Sequence, residues 1–148
     1  MCDILLAGAT GYIGSAVAMA LVEKGYKVLC PVRQIPKAPL TGVIYEICDC
    51  TDTVAIKHLA QRFSGIEAII SCIASRTGGR QDAWLVDYRA NMTLLETAQE
   101  LAIERFILLS AICVQKPRLE FQHAKRAFEQ KLQASGLTYS IVRPTAFF

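Results

Sequence analysis

Short apolar runs alternate with segments of helical periodicity along the whole chain. The apolar runs lie at residues 3–8, 26–32, 42–48, 67–75, 105–112 and 138–142, and the amphipathic segments at about 12–24, 52–63, 82–102 and 119–134. Strands that read as nearly continuous apolar runs are typical of a parallel sheet with helices on both faces. The pattern therefore predicts a doubly wound α/β domain with about six strands in the order 3-2-1-4-5-6.

The segments between and after these elements predict where the chain turns. Residues 33–42 are rich in proline and lack a period, which indicates a surface loop. Gly136 suits the left-handed position beyond a helix, so it predicts where the last helix ends. The chain stops on apolar residues directly after the sixth strand, where a natural terminus is more often polar. We therefore expect a chain truncated from a longer polypeptide.

The composition is that of a globular domain. The 148 residues are 53% hydrophobic and 20% charged, which suffices for one domain with a hydrophobic core. The net charge is +3 and the basic residues form no run, so we assign no nucleic-acid role. No apolar run reaches the roughly 20 residues that a membrane-spanning helix needs. The first residues lack the features of a signal or transit peptide, which predicts a cytoplasmic protein.

Six cysteines are spread along the chain, and none are spaced as in C-x2-C. No zinc or iron–sulfur ligand set is therefore indicated, and we predict no metal site. Most of the cysteines lie in strand-like runs, which predicts buried, reduced thiols, with disulfides as the less favoured alternative.

A glycine-rich motif, GATGYIG at residues 8–14, follows the first strand and opens the first helix. Glycines at these positions permit a tight turn, a close approach of the backbone to a pyrophosphate, and close packing of helix on strand. The helix N-terminus adds N–H donors and a favourable dipole. The motif thus predicts a dinucleotide-binding, Rossmann-like domain over residues 1–148, with a merely structural turn as the alternative. The contacts expected are Gly8, Thr10, Gly11, Tyr12, Ile13 and Gly14.

The end of the second strand indicates which dinucleotide is bound. A site for NAD usually has an acidic residue there for the ribose hydroxyls, whereas this chain has Arg33, which suits a 2′-phosphate. We therefore predict NADPH as the cofactor, with a solvated surface arginine as the alternative. Asp49, after the third strand, is a candidate for binding the adenine amino group or for capping the next helix. We also expect Cys50, the residue after Asp49, to contact the cofactor.

Longer strings carry a resemblance to a known family. GATGYIG, with SCIASRTGG at 71–79, LLSAICVQKP at 108–117, LEFQ-AK within 119–125 and YSIVRPTAFF at 139–148, resembles the divinyl (proto)chlorophyllide a 8-vinyl reductases, which are atypical short-chain dehydrogenases/reductases. The likeness runs over essentially the whole chain. It implies NADPH-dependent reduction of the 8-vinyl group of a tetrapyrrole, divinyl chlorophyllide or protochlorophyllide, to ethyl. It also implies a bacterial phototroph as the source and a C-terminal substrate region that this chain lacks.

The resemblance assigns roles to residues around the nicotinamide. Lys125 stands where short-chain dehydrogenases have the lysine that binds the nicotinamide ribose, and we expect it to be catalytic together with Ser110, whose alternative is a hydroxyl satisfied by the local backbone. The usual tyrosine four residues before the lysine is replaced by Phe121, which packs either the core or the substrate. Tyr88 is either a packing residue or a replacement proton donor to substrate. Further cofactor contacts are implied for Cys72 and Ile73 in the fourth strand and for Pro144 and Thr145 after the sixth.

Loss of the tyrosine is compatible with reduction of a conjugated carbon–carbon double bond. Negative charge that develops there can spread into the macrocycle, so no oxyanion needs a tyrosine beside it, and the proton can come from water or another residue. Two alternatives stay open. One is an NADPH-dependent atypical reductase acting on a different conjugated double bond, which Lys125 favours. The other is a non-catalytic NADPH-binding regulator or assembly factor, which the missing tyrosine favours.

Overall fold

A parallel sheet of six strands forms the centre of the computed structural model, which describes residues 1–145. The strands are β1 (Ile4–Ala7), β2 (Val28–Val32), β3 (Val43–Ile47), β4 (Ala68–Ser71), β5 (Arg105–Leu109) and β6 (Thr138–Val142). Their order across the sheet is β3-β2-β1-β4-β5-β6, which confirms the predicted doubly wound α/β fold. The last three residues, part of the apolar chain end that suggested truncation, lie outside the described residues.

The burial of each strand follows from its place in the sheet. All four residues of β1 and all five of β2 are buried. Successive side chains of a strand point to opposite faces, so an inner strand with helices on both faces has to be apolar throughout. The edge strands β3 and β6 have no fully buried residue. The uninterrupted apolar runs in the sequence therefore identify the centre of the sheet.

Helices cover both faces of the sheet. They are α1 (Tyr12–Glu23), α2 (Thr53–Arg62), α3 (Arg80–Asp82), α4 (Asn91–Glu100) and α5 (Glu120–Gln133), with a π-helical segment (Ala83–Ala90) between α3 and α4. Helix α3, the π-helical segment and α4 follow one another without a break. The helix predicted over 82–102 is therefore one continuous helical rod, in which part of the backbone has π-type and part α-type hydrogen bonds. Periodicity did not reveal the π pattern, because a wider turn displaces the apolar stripe by only about one residue.

The two faces of the sheet carry separate hydrophobic cores. The larger core contains Leu5, Ile69, Leu94, Phe106 and Phe128, and the rings of its two phenylalanines lie 5.7 Å apart between centroids. The smaller core lies under α1 and is made of Leu6, Ala9, Ala18, Val28, Cys30 and Val32. Leu5 and Leu6 are neighbours in β1 and enter different cores, as the alternation of a strand requires. Doubly wound sheets bind ligands at the carboxyl ends of their strands, so we expect a binding site at that edge of the sheet.

Two strands end earlier than the apolar runs suggested. β4 ends at Ser71 rather than near residue 75, and β5 ends at Leu109 rather than near residue 112. The residues beyond leave the ladder and turn over the carboxyl edge of the sheet. Other predictions of chain turns are confirmed: residues 33–42 form a largely exposed loop, and Gly136 has φ +81° just after α5.

The cysteines are all free thiols, as predicted, although they differ in burial. Cys2, Cys30 and Cys48 are buried, whereas Cys113 is exposed. Burial raises the pKa of Cys30 to about 12, so this thiol stays protonated and inert. Within residues 1–145, no helix combines the length and the apolar character that crossing a membrane requires.

Candidate functional site

The glycine motif forms the turn between β1 and α1, and backbone contacts require its first and last glycines. Gly8 has φ +83°, and a Cβ added there would lie 2.6 Å from the carbonyl carbon and oxygen of Cys72. A Cβ added to Gly14 would lie 1.9 Å from the carbonyl oxygen of Gly8. Neither position tolerates a side chain, because the atoms it would meet are backbone atoms. These two glycines bring the start of α1 close to the ends of β1 and β4.

The middle glycine has a different role. Gly11 is the N-cap of α1 with φ −77°, and a Cβ added there would meet only the carbonyl oxygen of Gly8, at an ordinary contact distance of 3.5 Å. The fold itself thus tolerates a side chain at Gly11, which points to a ligand as the reason for glycine. No side chain caps α1; Thr10 and Tyr12 are exposed, and Ile13 is half-buried. The N–H groups of this first turn are therefore available to an anion.

Arg33 follows β2 at the same edge of the sheet, where its side chain is exposed. The backbone N–H and the hydroxyl of Thr51, each 2.8 Å from Oδ1 of Asp49, lower the pKa of Asp49, and the positive charge of Arg33 adds to the effect. The alternative role of Asp49 as a helix cap is wrong, since Asp52 accepts from two backbone N–H groups in the first turn of α2. Asp49 remains exposed beside Arg33, and Cys50 is half-buried against the larger core.

The loop after β4 begins with two of the residues predicted to line the site. Cys72 and Ile73 were assigned to the fourth strand, but this strand ends at Ser71, so both belong to the loop. The N–H of Cys72 donates to the carbonyl oxygen of Ala7 at 2.9 Å, which holds the loop beside the glycine turn. Burial raises the pKa of the Cys72 thiol to about 11, an effect that the positive charge of Lys125 partly opposes. Lys125 therefore reaches this edge of the sheet from α5.

Lys125 is buried, and its ammonium is paired with a carboxylate. Only 8% of its side chain is exposed, and Nζ lies 3.0 Å from Oδ1 of Asp87, whose side chain is fully buried. Ser75, in the loop after β4, donates to the same carboxylate: its hydroxyl lies 2.5 Å from Oδ2 and its N–H 3.3 Å from Oδ1. The carboxylate thus accepts from α5 and from the loop. An ammonium carries three N–H donors, of which Asp87 takes one.

The polar network extends from Asp87 to the sheet through Asn91. The Nδ2 group of Asn91 donates to the carbonyl oxygen of Asp87 at 2.9 Å, and the Oδ1 atom of Asn91 accepts from the hydroxyl of Ser71 at 2.5 Å. Ser71 is the last residue of β4, and all three residues are buried. Asp87 itself lies in the π-helical segment, and such segments are frequent at functional sites. The network therefore fixes the rod to the carboxyl end of the central sheet.

Sequence reasoning missed Asp87 and Ser75 as members of the site. Asp87 lies in the predicted helix 82–102 and belongs to no motif, and Ser75 was assigned to the end of the predicted strand 67–75, whereas the structure places it in the loop after β4. A signal was present nonetheless. Asp87 is an acid on the buried face of its helix, and Lys125 borders the apolar stripe of another helix. Opposite charges in apolar surroundings are expected to pair, because an isolated buried charge is costly.

Ser110 follows β5, and its hydroxyl is one of two buried side-chain oxygens without a hydrogen-bond partner in the part of the chain that the structure describes. The alternative of a hydroxyl satisfied by the local backbone is therefore wrong. Its N–H donates to the carbonyl oxygen of Val142 at 2.7 Å, next to β6. Beyond that strand the carbonyl oxygen of Pro144 accepts from Ile112 at 3.0 Å, and Thr145 is exposed. Ser110 thus offers a buried hydroxyl at the edge to which Pro144 and Thr145 also belong.

The two residues predicted to meet the substrate are both half-buried. Phe121 lies at the start of α5 against the loop after β4, since a Cβ added to Gly78 would lie 3.5 Å from its ring carbon Cδ1. Tyr88 packs against the larger core, and its ring centroid lies 5.4 Å from that of Trp84. These contacts are those of packing residues. A role of either residue toward a substrate stays a prediction.

Comparison with known proteins identifies the class of nucleotide for which this edge is built. The sequence profile of the NAD(P)H-binding family matches residues 8–148. The chain belongs to this family. Its glycine turn, its uncapped helix N-terminus and its buried lysine are thus parts of an NAD(P)H-binding domain, and the cofactor is a nicotinamide nucleotide.

Relatives of this NAD(P)H-binding domain are longer proteins. The chain is 43% identical to the divinyl chlorophyllide a 8-vinyl-reductase, chloroplastic, of Zea mays, over 98% of this chain and 40% of that protein. It is 30% identical to the photosystem II assembly factor Ycf39 of Cyanophora paradoxa, over 99% of this chain and 46% of that protein. The chain thus spans less than half the length of the curated relatives it matches.

The fold is shared with solved structures. The enzyme WbmH of Bordetella bronchiseptica, determined in complex with NAD+, has a TM-score of 0.82 and 18% identity over 97% of this chain and 55% of that chain. At this level of identity the likeness establishes the fold. It agrees with the strand order found here.

Three features of the NAD(P)H-binding domain fit a bound dinucleotide. The backbone at Gly11 has room that its own fold does not require, the hydroxyl of Ser110 lacks a partner, and the ammonium of Lys125 is held at the carboxyl edge. Within residues 1–145, no group of three or more histidine, cysteine, aspartate or glutamate residues is arranged to hold a metal ion.

Proposed function

We propose that this chain is the NADPH-binding portion of a reductase that converts the 8-vinyl group of divinyl chlorophyllide or protochlorophyllide to ethyl. The observation that carries the proposal is the 43% identity, over 98% of this chain, to the maize protein of that name. We place most of the tetrapyrrole site in the part of the relatives that this chain does not span. The cytoplasmic location and the bacterial source stay predictions, and the maize relative is named as chloroplastic.

We assign NADPH rather than NADH on account of Arg33. A guanidinium at the end of β2 suits a 2′-phosphate, with which it forms charge-assisted hydrogen bonds. The N–H groups of Tyr12 and Ile13, in the first turn of α1 that no side chain caps, suit the pyrophosphate, and Asp49 suits the adenine amino group. Backbone groups of Cys50, Cys72, Ile73, Pro144 and Thr145 complete the proposed contacts. Lys125 and Ser110 would donate to the ribose hydroxyls on the nicotinamide side.

When bound, NADPH supplies a hydride. The chain's own contribution is to hold the cofactor and to place no tyrosine at the position where short-chain dehydrogenases have one. Phe121 in that position offers no proton, so the site is suited to an acceptor whose developing negative charge spreads into a conjugated macrocycle. Reduction of vinyl to ethyl also needs one proton, which we assign to water or to a group outside the residues named here.

The test is to incubate the protein at its complete natural length with NADPH and divinyl chlorophyllide and to follow the absorbance shift that accompanies loss of the vinyl group. A shift that requires NADPH supports the proposal. A protein that oxidises NADPH only with another conjugated acceptor would instead be a different reductase of the same kind. A Lys125→Met variant serves as the control in which hydride transfer is expected to fall.

A second candidate function is that of a nucleotide-binding assembly factor without catalysis. The 30% identity to the photosystem II assembly factor of Cyanophora paradoxa and the absence of the tyrosine favour it. In that case NADPH would bind to the protein, and divinyl chlorophyllide would stay unchanged in the assay above. The two functions therefore share the cofactor and differ in turnover.

A further inference from the structure

The carboxylate of Asp87 is the most completely enclosed charge of this site. Asp87 is 1% exposed, and its two carboxylate oxygens accept from the Nζ of Lys125 and from both the N–H and the hydroxyl of Ser75. A carboxylate with all its donors supplied by the chain and no access to solvent is not placed to contact a ligand. Its effect on a ligand has to pass through Lys125 or Ser75.

The two partners of Asp87 come from different parts of the fold. Lys125 lies on α5, which follows β5, while Ser75 lies in the loop that follows β4 and begins with Cys72. Asp87 itself belongs to the π-helical segment, where Asn91 binds its carbonyl oxygen. One carboxylate thus links α5 to the loop after β4 at the carboxyl edge of the sheet.

Because the ion pair between Asp87 and Lys125 is buried, losing one partner is expected to cost more stability than replacing both. Removing one partner of a buried ion pair leaves an uncompensated charge, whereas replacing both partners with neutral groups is often tolerated. The ammonium of Lys125 is faced by Asp87 from the π-helical segment and by the Cys72 thiol from the loop. On its own helix, Glu129 is bound to Arg143. Asp87 is therefore the carboxylate that decides where this ammonium points.

We propose that Asp87 is a positioning residue for the cofactor: its carboxylate, itself held by Ser75 of the loop after β4, holds the ammonium of Lys125 in the arrangement that binds the nicotinamide ribose. The inference rests on the proposed function, since it presumes that Lys125 binds the cofactor. It goes beyond that function by assigning the affinity for the nicotinamide half to a residue that never touches the ligand.

The experiment is a double-mutant cycle read by fluorescence titration with NADPH, using Asp87→Asn, Lys125→Met and the double variant. Each single change should weaken NADPH binding at least about tenfold, and the double variant should bind no more weakly than Lys125→Met alone. Asp87→Asn binding NADPH as tightly as the wild type would overturn the inference. An equal loss from Asp87→Asn with and without Lys125 would also overturn it.

A control separates positioning from stability. Leu132→Ala truncates a fully buried side chain on the same helix, outside the polar network, and should lower the midpoint of thermal unfolding while leaving the dissociation constant for NADPH unchanged. If Asp87→Asn does not fold, Ser75→Ala decides: a loss of affinity that disappears in the Lys125→Met background supports the inference, and an equal loss in both backgrounds overturns it.

The wild-type titration distinguishes failure of the inference from failure of the proposed function. A wild-type chain that binds neither NADPH nor NADH refutes the proposed function, and the positioning role with it. A wild-type chain that binds NADPH normally while the cycle shows no coupling between Asp87 and Lys125 refutes the positioning role alone.

Discussion

The two halves of the proposed cofactor site are built in different ways. The phosphate side, formed by the glycine turn at residues 8–14 and Arg33, depends on backbone groups and on missing side chains, since Gly8 and Gly14 touch other backbone atoms. The proposed nicotinamide side, with Ser75, Asp87, Ser110 and Lys125, depends on side chains from separate elements. The first is a local structure encoded by neighbouring residues, and the second exists only once the chain has folded.

The largest effect should come from a change within the glycine turn. Gly14→Ala puts a Cβ 1.9 Å from the carbonyl oxygen of Gly8, and neither helix nor strand can move aside easily, so we expect a loss of about 3 kcal/mol or more in the free energy of unfolding. Urea denaturation measures it. Gly25→Ala is the matched control: Gly25 has φ +86° and no neighbour within 4 Å, so only backbone strain of about 1–2 kcal/mol is expected. Equal losses for the two variants would contradict the account of the turn.

The next effect concerns the 2′-phosphate. Arg33→Ala removes the charged donor after β2 and should weaken NADPH binding by about 10- to 100-fold while leaving NADH binding unchanged. Titration of each nucleotide gives the two dissociation constants. Arg62→Ala, at the exposed end of α2 where the side chain pairs with Glu46, should change neither constant. A wild-type chain that prefers NADH would remove Arg33 from the site.

Substitution of Ser110 should have a smaller effect on NADPH binding, and it should not destabilise the ligand-free chain. Its buried hydroxyl has no partner, so Ser110→Ala should leave the ligand-free chain equally stable or stabilise it by up to about 1 kcal/mol, yet weaken NADPH binding by about 3- to 10-fold. Thermal unfolding and titration measure the two effects. Thr97→Val removes the other unpartnered buried hydroxyl and should stabilise without affecting binding. Should both variants bind NADPH equally well, Ser110 has no ligand role.

The smallest effect depends on pH. The hydrogen bonds from Thr51 lower the pKa of Asp49 in the folded state, so its contribution to stability is present above its ordinary value of 3.8 and is lost as the pH falls through the lowered pKa. Asp49→Ala should therefore cost less than about 1 kcal/mol at neutral pH, because the group is exposed, and nothing at strongly acidic pH. Unfolding curves at several pH values test this. A difference that grows with acidity would contradict the sign.

The contrast between local and long-range structure also explains which features can be predicted from the sequence. The positions of strands and helices and the glycine turn follow from local patterns, because apolar runs and glycine spacing are properties of neighbouring residues. The strand order was predicted from the doubly wound fold class that their alternation indicates. The helix cap shows the limit of that reasoning: Asp49 and Asp52 lie three residues apart, and only the backbone path decides that Asp52 is the cap. Lys125 was found through a family motif. Asp87 was not found, because its partners lie 12 and 38 positions away in the chain.

The π-helical segment was also beyond prediction from the sequence. Its apolar positions fit an α-helix nearly as well, so the sequence pattern does not distinguish the wider π turn from an ordinary α-helical turn. Asp87 lies within this segment, where the side chain of Asn91 binds its carbonyl oxygen. The part of the site that is hardest to predict is thus also the part that holds Lys125.

The most direct test of this division is a comparison of NADPH with adenosine 2′,5′-bisphosphate, a fragment that lacks the nicotinamide half. Both ligands are titrated by calorimetry into the wild-type chain and the Lys125→Met variant. We expect Lys125→Met to weaken NADPH binding at least about tenfold and to leave the affinity for the fragment unchanged. A Lys125→Met chain that loses affinity for both ligands equally, or for neither, would contradict it.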